Sequence, residues 1–537
     1  MSVVAAKRPL AVSMCGGLLG NARATSQREI VRSARNFSGG EVNSQKDDRE
    51  KVVVLGSGWA GYTFARRLNP KKYNAVIVSP RSYFVFTPLL ASTSVGTLEF
   101  RTALEPIRNK RTHADFIQGW ADSVDFFNKR ISIEEAVDDP RLGLAPTGRR
   151  HVELSTGEHV TRRKGKTFNL DYDKLIITVG CYSQTFSIPG VREHALFLKD
   201  VGDARRIRKR ILACFENAAL PTTSDAMKKH FLNFAVVGGG PTGIEFAAEL
   251  HDFITEDLAK VYKNEVGFAK ITVYDVAPTV LPMFDEELGK YAMKQFAREG
   301  IEIKTSHHIK SLRKGLPDSE NSQFDPKDEQ YCMTLDVQEE GQIGAGMVVW
   351  STGLMENPFV KNGLGSSQLI KTTDARLQNI SEDQAVDSDW IARRDKKTGS
   401  LITDSHLRLV MEPKEQGDKG ITATLTDVFA LGDCAIIKDT AYPATAQVAS
   451  QKADWLAKEL NKGINGQGFR FNNLGVMAYL GNWNAIVQLE TGKVSGRTAW
   501  FLWRGAYLTK SVSWRNKILI PMYWFINWAF GRDVSRF

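Results

Sequence analysis

Two short glycine patterns carry the clearest chemical meaning in this sequence. Each follows an apolar run and opens a helix-like stretch, in KVVVLGSGWAG at 51–61 and FAVVGGGPTG at 234–243. The glycines keep GxGxxG spacing in both, as Gly56, Gly58 and Gly61 and as Gly238, Gly240 and Gly243. In this setting the first glycine permits a tight turn, the second admits a pyrophosphate and the third lets the helix approach the strand. Two such loops predict two dinucleotides, a retained flavin and a diffusing nicotinamide.

The residue that ends the next strand indicates which nucleotide each loop takes. Asp275 ends the segment KITVYD after the second loop. A carboxylate there accepts hydrogen bonds from an adenosine ribose and repels a 2′-phosphate, which predicts NADH in preference to NADPH. Ser79 takes the corresponding place after the first loop, where its hydroxyl makes a weaker bond to a ribose. Because the second loop is assigned to NADH, we assign the first loop to FAD.

Further polar residues follow apolar runs in the second half of the chain. Asp433 ends FALGD, where a carboxylate can bind flavin ribityl or pyrophosphate hydroxyls, and Gly180 ends the short strand DKLIITVG. Gln447 and Gln451 are four residues apart and share a helix face, from which their amides can donate to a carbonyl oxygen. A solvated glutamine face is the alternative. The aromatic stretch at 83–88 either walls a flavin ring or belongs to the core, and its composition favours core.

These elements predict an α/β protein with two Rossmann-like dinucleotide-binding domains and a C-terminal amphipathic membrane-anchoring region. The segments 173–180 and 347–353 resemble the strands that cross between a flavin domain and an inserted nicotinamide domain. The polar stretches 313–345 and 382–420 are interpreted as loops or hairpins without chemistry. The predicted parts are a first FAD-binding part at 49–200, an NADH-binding insert at 201–350, a second FAD-binding part with the glutamines at 351–470, and the C-terminal region at 471–537.

Composition indicates a globular protein of several domains, with 42% hydrophobic and 25% charged residues in a chain of 537. The five cysteines form no CxxC or CxxxxC pair, so neither a redox dithiol nor a disulfide framework is predicted. The histidines have no ligand spacing, and no metal site is predicted. Residues 1–48 begin with basic side chains spaced through alanine and serine, which predicts a mitochondrial transit peptide. A disordered basic tail is the alternative.

The C-terminal residues differ from the rest of the chain. From Arg497 onward there are seven basic residues, one acid and eleven aromatics. The apolar run at 518–530 is shorter than the roughly 20 residues that span a bilayer. Aromatic and basic residues together predict a segment that lies in the interface of an anionic membrane. A buried helix pair or a dimer contact is the alternative. Because the excess positive charge lies at the two ends of the chain, nucleic acid is not predicted as a partner.

The motifs taken together resemble a known family. They are the first glycine loop, GGGPTGIEFAAEL at 238–250, FALGDCA at 429–435, AQVASQ at 446–451 and the aromatic, basic tail. Over residues 50–537 the chain is similar to type II NADH:ubiquinone oxidoreductases, in particular the mitochondrial NADH dehydrogenases of fungi. The resemblance implies non-covalent FAD, hydride transfer from NADH to the flavin, and reduction of ubiquinone without proton pumping. It also implies a homodimer that docks on the inner mitochondrial membrane.

The resemblance also implies roles for three side chains. The helix with Gln447 and Gln451 lines the quinone site in this family, and Glu245 lies near the nicotinamide and quinone sites, where it takes part in proton transfer. Two features depart from relatives. Ser450 stands where yeast-type relatives often have histidine, so a histidine proton donor does not transfer. No EF-hand pattern is found, so calcium regulation is not predicted.

Two other functions remain open from the sequence. One is a flavin reductase with another acceptor, such as a ferredoxin or sulfide, although sulfide oxidation normally needs a cysteine pair beside the flavin. The other is an NADH-binding sensor of the apoptosis-inducing-factor kind. For location, the leader has no following stop-transfer segment of about 20 apolar residues, which favours the matrix face of the inner mitochondrial membrane.

Overall fold

The computed structural model describes residues 48–536, apart from 110–111, 140–142, 145–150, 154–158, 162–164, 319–330, 365–368, 381–387, 416–420, 441 and 465. The predicted transit peptide lies outside the described residues except for Asp48. Arg49–Phe537 forms one compact unit.

A large sheet contains the first glycine loop. Its parallel strands lie in the spatial order Ala423–Ala430, Lys174–Ile177, Glu50–Leu55, Tyr73–Ser79 and Ala114–Asp125. Residues 52–55 are fully buried, as expected for a parallel strand covered on both faces. Antiparallel strands extend the sheet, with Arg130–Glu135 and Thr167–Asp171 at one end and Arg408–Pro413, Asp389–Ala392 and Ile370–Lys371 at the other. The short strands Leu377–Gln378, Leu401–Thr403 and Ala435–Ile437 pair alongside.

A second parallel sheet contains the second glycine loop. Its strands are Leu196–Phe197, Met347–Trp350, Asn233–Val237, Lys270–Tyr274 and Glu302–Lys304, in that spatial order. An antiparallel meander of Ile309–Lys314, Met333–Val337 and Gly341–Ala345 accompanies it. In each of the two parallel sheets, a glycine loop joins one strand to the helix that follows it. This arrangement confirms the predicted pair of Rossmann-like folds.

The connection between the two sheets differs from the expectation. The segments 173–180 and 347–353 do not cross between the sheets, because each provides a parallel strand inside its own sheet. The crossing pair comes immediately after them, where Tyr182–Ser183 pairs antiparallel with Leu354–Met355. Apolar runs identify buried strands, but two-residue strands carry too few side chains to show a pattern.

Three helices carry residues of the predicted site. The first-loop helix is Trp59–Arg67, the second-loop helix is Pro241–Phe253, and the glutamine helix is Ala446–Lys462. Pro241 opens the second-loop helix at a position where a missing N–H costs nothing. The Thr445 hydroxyl caps the glutamine helix by accepting from Val448 N at 3.3 Å. Before the C-terminal region, the part of the chain that the structure describes also contains the α-helices Leu90–Ser94, Val191–His194, Val201–Ala219, Asp225–Phe231, Ala259–Val261, Glu286–Arg298 and Pro358–Asn362.

The C-terminal region is a small antiparallel sheet followed by two helices. The strands are Val476–Gly481, Asn484–Leu489 and Gly492–Gly496, and the helices are Arg497–Lys510 and Trp514–Phe530. Trp500 and Trp503 are buried in the main core. Phe525 and Trp528 are 62% and 69% exposed. Among the described residues, no helix has the length and apolar character that crossing a membrane requires.

Candidate functional site

The first glycine loop is shaped for a dinucleotide. Gly56 has φ of 109°, and a Cβ there would lie 2.4 Å from the carbonyl oxygen of Thr178. A Cβ at Gly61 would lie 2.0 Å from the Gly56 carbonyl oxygen, so this glycine allows the helix to pack on the loop. At Gly58 a Cβ would meet no atom within 4 Å. The middle glycine thus faces open space, as a bound pyrophosphate requires.

The second glycine loop repeats this geometry. Gly238 has φ of 116°, and a Cβ there would lie 2.9 Å from the carbonyl oxygen of Ser351. A Cβ at Gly243 would lie 2.0 Å from the Gly238 carbonyl oxygen, whereas one at Gly240 would meet nothing within 4 Å. Both loops therefore meet the steric demands of a dinucleotide cradle, and Ser351 takes the place that Thr178 has beside the first loop.

The residues that end the next strands contact their own loops. Asp275 accepts a hydrogen bond from Gly239 N through Oδ2, and another of 2.7 Å from Ala277 N through Oδ1. Ser79 Oγ lies 2.8 Å from Ser57 Oγ, so it contacts the equivalent loop position. Each Asp275 oxygen keeps lone-pair capacity for a ribose hydroxyl. The two polar ends are thus structurally equivalent.

One large cavity of about 1220 Å³ joins most of the predicted site. The predicted residues on its walls are Gly56, Gly58, Ser79, Gly180, Asp433, Glu245, Gln447 and Gln451. Gly61, Gly238, Gly240, Gly243 and Asp275 lie outside this lining. Phe86 of the aromatic stretch is buried in the core, as its composition predicts, and it also lines the cavity.

Asp433 belongs to a small polar cluster in the cavity wall. Cys181 Sγ donates to Asp433 Oδ2 at 3.4 Å, and Lys199 Nζ donates to Cys181 Sγ at 3.4 Å. Burial raises the pKa of the Cys181 thiol to about 11, so it stays protonated and unreactive at neutral pH. Burial also lowers the pKa of Lys452 to about 8, against the opposing pull of Cys434 and Asp433.

Glu245 is a buried carboxyl group in the cavity wall. It lies in the second-loop helix, close to the helix start, and is 8% exposed. Its Oε1 accepts hydrogen bonds of 3.1 Å from both Tyr479 N and Trp503 Nε1. Burial raises the pKa of Glu245 to about 8, although these two hydrogen bonds act in the opposite direction. Near neutral pH the group can therefore hold and release a proton.

The two glutamines face the cavity but bond to the protein backbone. Gln447 Nε2 donates to Gly475 O at 3.2 Å, and its Oε1 accepts from Leu474 N at 3.0 Å. Gln451 makes the same two-way contact with Asn472, at 2.8 Å to its carbonyl oxygen and 3.0 Å from its N–H. Between the glutamines, Ser450 Oγ is buried without a hydrogen-bond partner in the described part of the chain. An unsatisfied hydroxyl on the wall fits a site for a polar ligand.

Comparison with known proteins decides the family. Residues 50–379 match the family described as pyridine nucleotide-disulphide oxidoreductase, and residues 473–533 match the NDH2 C-terminal domain. A probable NADH dehydrogenase of Dictyostelium discoideum is 35% identical, over 91% of this chain and 92% of the relative. An external alternative NAD(P)H-ubiquinone oxidoreductase of Arabidopsis thaliana is 32% identical, over 93% and 92%. The chain belongs to the alternative NAD(P)H-ubiquinone oxidoreductase family.

Other comparisons agree with this family. An internal alternative NAD(P)H-ubiquinone oxidoreductase of Solanum tuberosum is also 32% identical, over 92% of this chain and 89% of the relative. The structure of NDH2 from Plasmodium falciparum in complex with NADH superposes with a TM-score of 0.70 at 23% identity, covering 91% of this chain and 100% of that one. That structural likeness supports the fold.

Several site residues of this alternative NAD(P)H-ubiquinone oxidoreductase were missed by sequence reasoning. Thr178 and Ser351 had a usable signal, because each directly follows a parallel strand, and each brackets the first glycine of its loop. Tyr479 and Trp503 had none, since their contact with Glu245 depends on how the C-terminal region folds back. Cys181 meets Asp433, and Lys199 meets Cys181, only through the tertiary fold.

The cradle and cavity fit a bound FAD. The open side of Gly58, the unsatisfied Ser450 hydroxyl and the cavity that connects them supply the space and the polar partners such a cofactor needs. The residues that would hold it are the first glycine loop, Ser79 and Asp433. A bound flavin would supply a two-electron carrier between the two substrates.

Proposed function

We propose that this chain oxidises NADH and reduces ubiquinone, using FAD as its bound cofactor. One observation carries the proposal: a single cavity is lined by the flavin loop, by Glu245 from the helix that opens at the NADH loop, and by the glutamine helix. The donor, the cofactor and the acceptor can thus meet in one cavity. The names of the relatives, with NAD(P)H and ubiquinone in them, agree with this assignment.

The second loop and Asp275 would hold NADH. The open space at Gly240 admits the pyrophosphate, and the helix that follows presents its N-terminal N–H groups to it. Asp275 would accept from a ribose hydroxyl and disfavour a 2′-phosphate. Relatives named for NAD(P)H leave both nucleotides open, and Asp275 is the reason we propose NADH.

Glu245 would donate a proton during quinone reduction. Reduction of ubiquinone by NADH consumes one proton in addition to the hydride, and the acceptor must receive two protons in all. Glu245 lines the cavity and has its pKa raised to about 8 by burial, so at neutral pH it carries a proton that it can give up. Ser450 adds a hydroxyl to the same wall.

We further propose that the enzyme is a homodimer on the inner mitochondrial membrane, on its matrix side. The exposed aromatic side chains of Trp514–Phe530 support an interfacial docking surface. One relative named external and one named internal are both 32% identical to this chain, so the proposed side rests on the leader alone. Digestion by protease added to intact mitochondria, under conditions that spare matrix markers, would place the enzyme outside and refute the matrix assignment.

The main test follows the purified protein through one cycle and then many. NADH should bleach the visible absorbance of the bound flavin, and a short-chain ubiquinone should restore it. Steady-state turnover with both substrates separates an enzyme from an NADH sensor, because a sensor would be reduced once and then stall. A protein without bound flavin, or one whose flavin NADH does not bleach, would refute the proposal.

A further inference from the structure

The glutamine helix and the segment 472–475 are joined by a repeated pattern of contacts. Each glutamine amide both donates to a backbone carbonyl and accepts from a backbone N–H of that segment, at 2.8–3.2 Å. This is the pattern that a neighbouring strand would make. Each amide therefore uses its oxygen and one N–H on the protein itself.

The held segment leads directly into the cavity wall. Leu474, Gly475, Val476 and Met477 line the cavity. Gly475 has φ of 89°, and a Cβ there would lie 2.4 Å from the carbonyl oxygen of Gln488, so the chain can only turn at this point with glycine. The wall therefore starts from a fixed bend just after the last glutamine contact.

The same strand reaches Glu245 at its other end. Tyr479, within Val476–Gly481, donates its N–H to Glu245 Oε1 at 3.1 Å, and its hydroxyl bonds to Asp252 in the second-loop helix. The strand thus connects the glutamine helix on the flavin side with the second-loop helix on the nicotinamide side. Its position sets both the cavity wall and one of the hydrogen bonds on Glu245.

We infer that Gln447 and Gln451 are positioning residues that form a clasp on segment 472–475. The clasp fixes the cavity wall at 474–477 and, through Tyr479, the hydrogen bonding of Glu245. Its effect on the acceptor is indirect, in contrast to an amide that donates straight to the quinone carbonyl. The kinetic part of the inference rests on the proposed quinone reduction, whereas the structural part does not.

The first experiment tests by hydrogen exchange, without any substrate, whether the clasp holds segment 472–475. In flavin-loaded Gln447→Leu and Gln451→Leu proteins, hydrogen exchange of the peptide covering 471–476 should be about tenfold faster, since each change removes the partners of a backbone N–H and C=O. Gln338→Leu makes the same substitution at an exposed position, in the turn between the strands Met333–Val337 and Gly341–Ala345, and should leave hydrogen exchange of the 471–476 peptide unchanged. Unchanged exchange in both clasp variants would overturn the inference, whatever happens to activity.

The second experiment compares single and double variants in turnover. Both single variants should raise KM for a short-chain quinone several-fold, while NADH still reduces the flavin at close to the normal rate in a single turnover. Their effects should be less than multiplicative in the double variant, because both amides hold one segment. Fully multiplicative effects would indicate two independent contacts with the acceptor and would overturn the clasp.

A third variant tests the N–H that Gln451 donates to the Asn472 carbonyl oxygen. Gln451→Glu retains an acceptor for Asn472 N but, when ionised, faces the Asn472 carbonyl oxygen with a second acceptor. Protonation restores a donor, so exchange of the peptide and KM for quinone, each compared with the Gln338→Leu protein at the same pH, should approach normal as pH falls from about 7 to about 4. Absence of this low-pH recovery, relative to the Gln338→Leu protein, would contradict the inference.

Discussion

Glu245 and Trp503 are 258 residues apart in sequence, and the Trp503 indole N–H donates a hydrogen bond of 3.1 Å to Glu245 Oε1. Glu245 belongs to the helix that follows the second glycine loop, whereas Trp503 belongs to the C-terminal helix Arg497–Lys510. The C-terminal region therefore does more than provide an exposed apolar surface. It also completes the surroundings of the buried carboxyl group in the cavity.

Replacing Glu245 should remove a pH dependence of quinone reduction. Burial raises the pKa of Glu245 to about 8, so the proton-donating form is present below that pH and is lost above it. We expect the rate of quinone reduction by the native enzyme to fall as pH rises through about 8, and we call this decline the pH limb. The Glu245→Gln enzyme should reduce quinone about 100-fold more slowly and should show no pH limb. Stopped-flow measurement of flavin reoxidation gives the rate. A variant that keeps both the rate and the limb would exclude Glu245 as the donor.

The same carboxyl group should affect stability in a defined direction. Because its pKa is raised from 4.5 to about 8, the native state retains the proton that the unfolded chain releases. The stability contributed by this group is thus complete below about 4.5 and declines as pH rises to about 8. Glu245→Gln should lack that decline, so its melting temperature relative to the native protein should increase over this range. If the difference in melting temperature between the two proteins stayed constant from pH 4.5 to about pH 8, the raised pKa of Glu245 would be refuted.

Trp503→Phe should move the pH limb without removing it. The change deletes the N–H donor and keeps a ring beside Tyr479, whose centroid lies 5.4 Å away. A hydrogen bond to the ionised form lowers a carboxyl pKa, so its loss should shift the limb upward by about one pH unit. Trp500→Phe is the matched control, since Trp500 lies one turn away and stacks on Arg504. An equal shift of the pH limb in both variants would indicate a general loosening of the C-terminal helix and would contradict a specific effect of the Trp503 hydrogen bond.

Asp275→Asn should weaken the discrimination between nucleotides. The amide removes the negative charge that opposes a 2′-phosphate, and the NADH/NADPH ratio of kcat/KM should narrow by about 1–3 kcal/mol. Because Asp275 also accepts from Gly239 and Ala277, KM for NADH should rise as well. Ser79→Ala alters the equivalent place in the other loop and should leave the ratio unchanged. An unaltered ratio in Asp275→Asn would show that Asp275 is not the ribose ligand.

The first glycine loop offers a test that separates cofactor binding from folding. A methyl group at Gly58 meets no protein atom within 4 Å, so Gly58→Ala should fold but retain less flavin. A methyl group at Gly61 would lie 2.0 Å from a backbone oxygen, so Gly61→Ala should destabilise the protein itself. Flavin content per folded protein and melting temperature distinguish the two. Normal flavin content in Gly58→Ala would show that no pyrophosphate approaches there.

Membrane binding is better tested by substitution than by truncation. Removing the chain from Arg497 onward would also remove Trp500, Trp503 and Ile520 from the core. Phe525 and Trp528 are exposed, so changing both to serine should preserve the fold and weaken binding to anionic vesicles about tenfold or more. Phe127→Ser, at an exposed position in the first sheet's hairpin, is the control. Unchanged vesicle binding in the double variant would exclude this face as the docking surface.

The sequence by itself determined the two glycine loops, the two parallel folds and the polar residues that end their strands. These features depend on local backbone geometry, since a turn with positive φ and a close helix contact each require glycine at a set spacing. Only the tertiary structure decided which amides and rings meet around the cavity. Glu245 contacts Tyr479 and Trp503, and the glutamines hold segment 472–475, through side chains brought together by long-range packing. Burial likewise raises the pKa of Glu245, and burial is a property of the whole fold that no local pattern records.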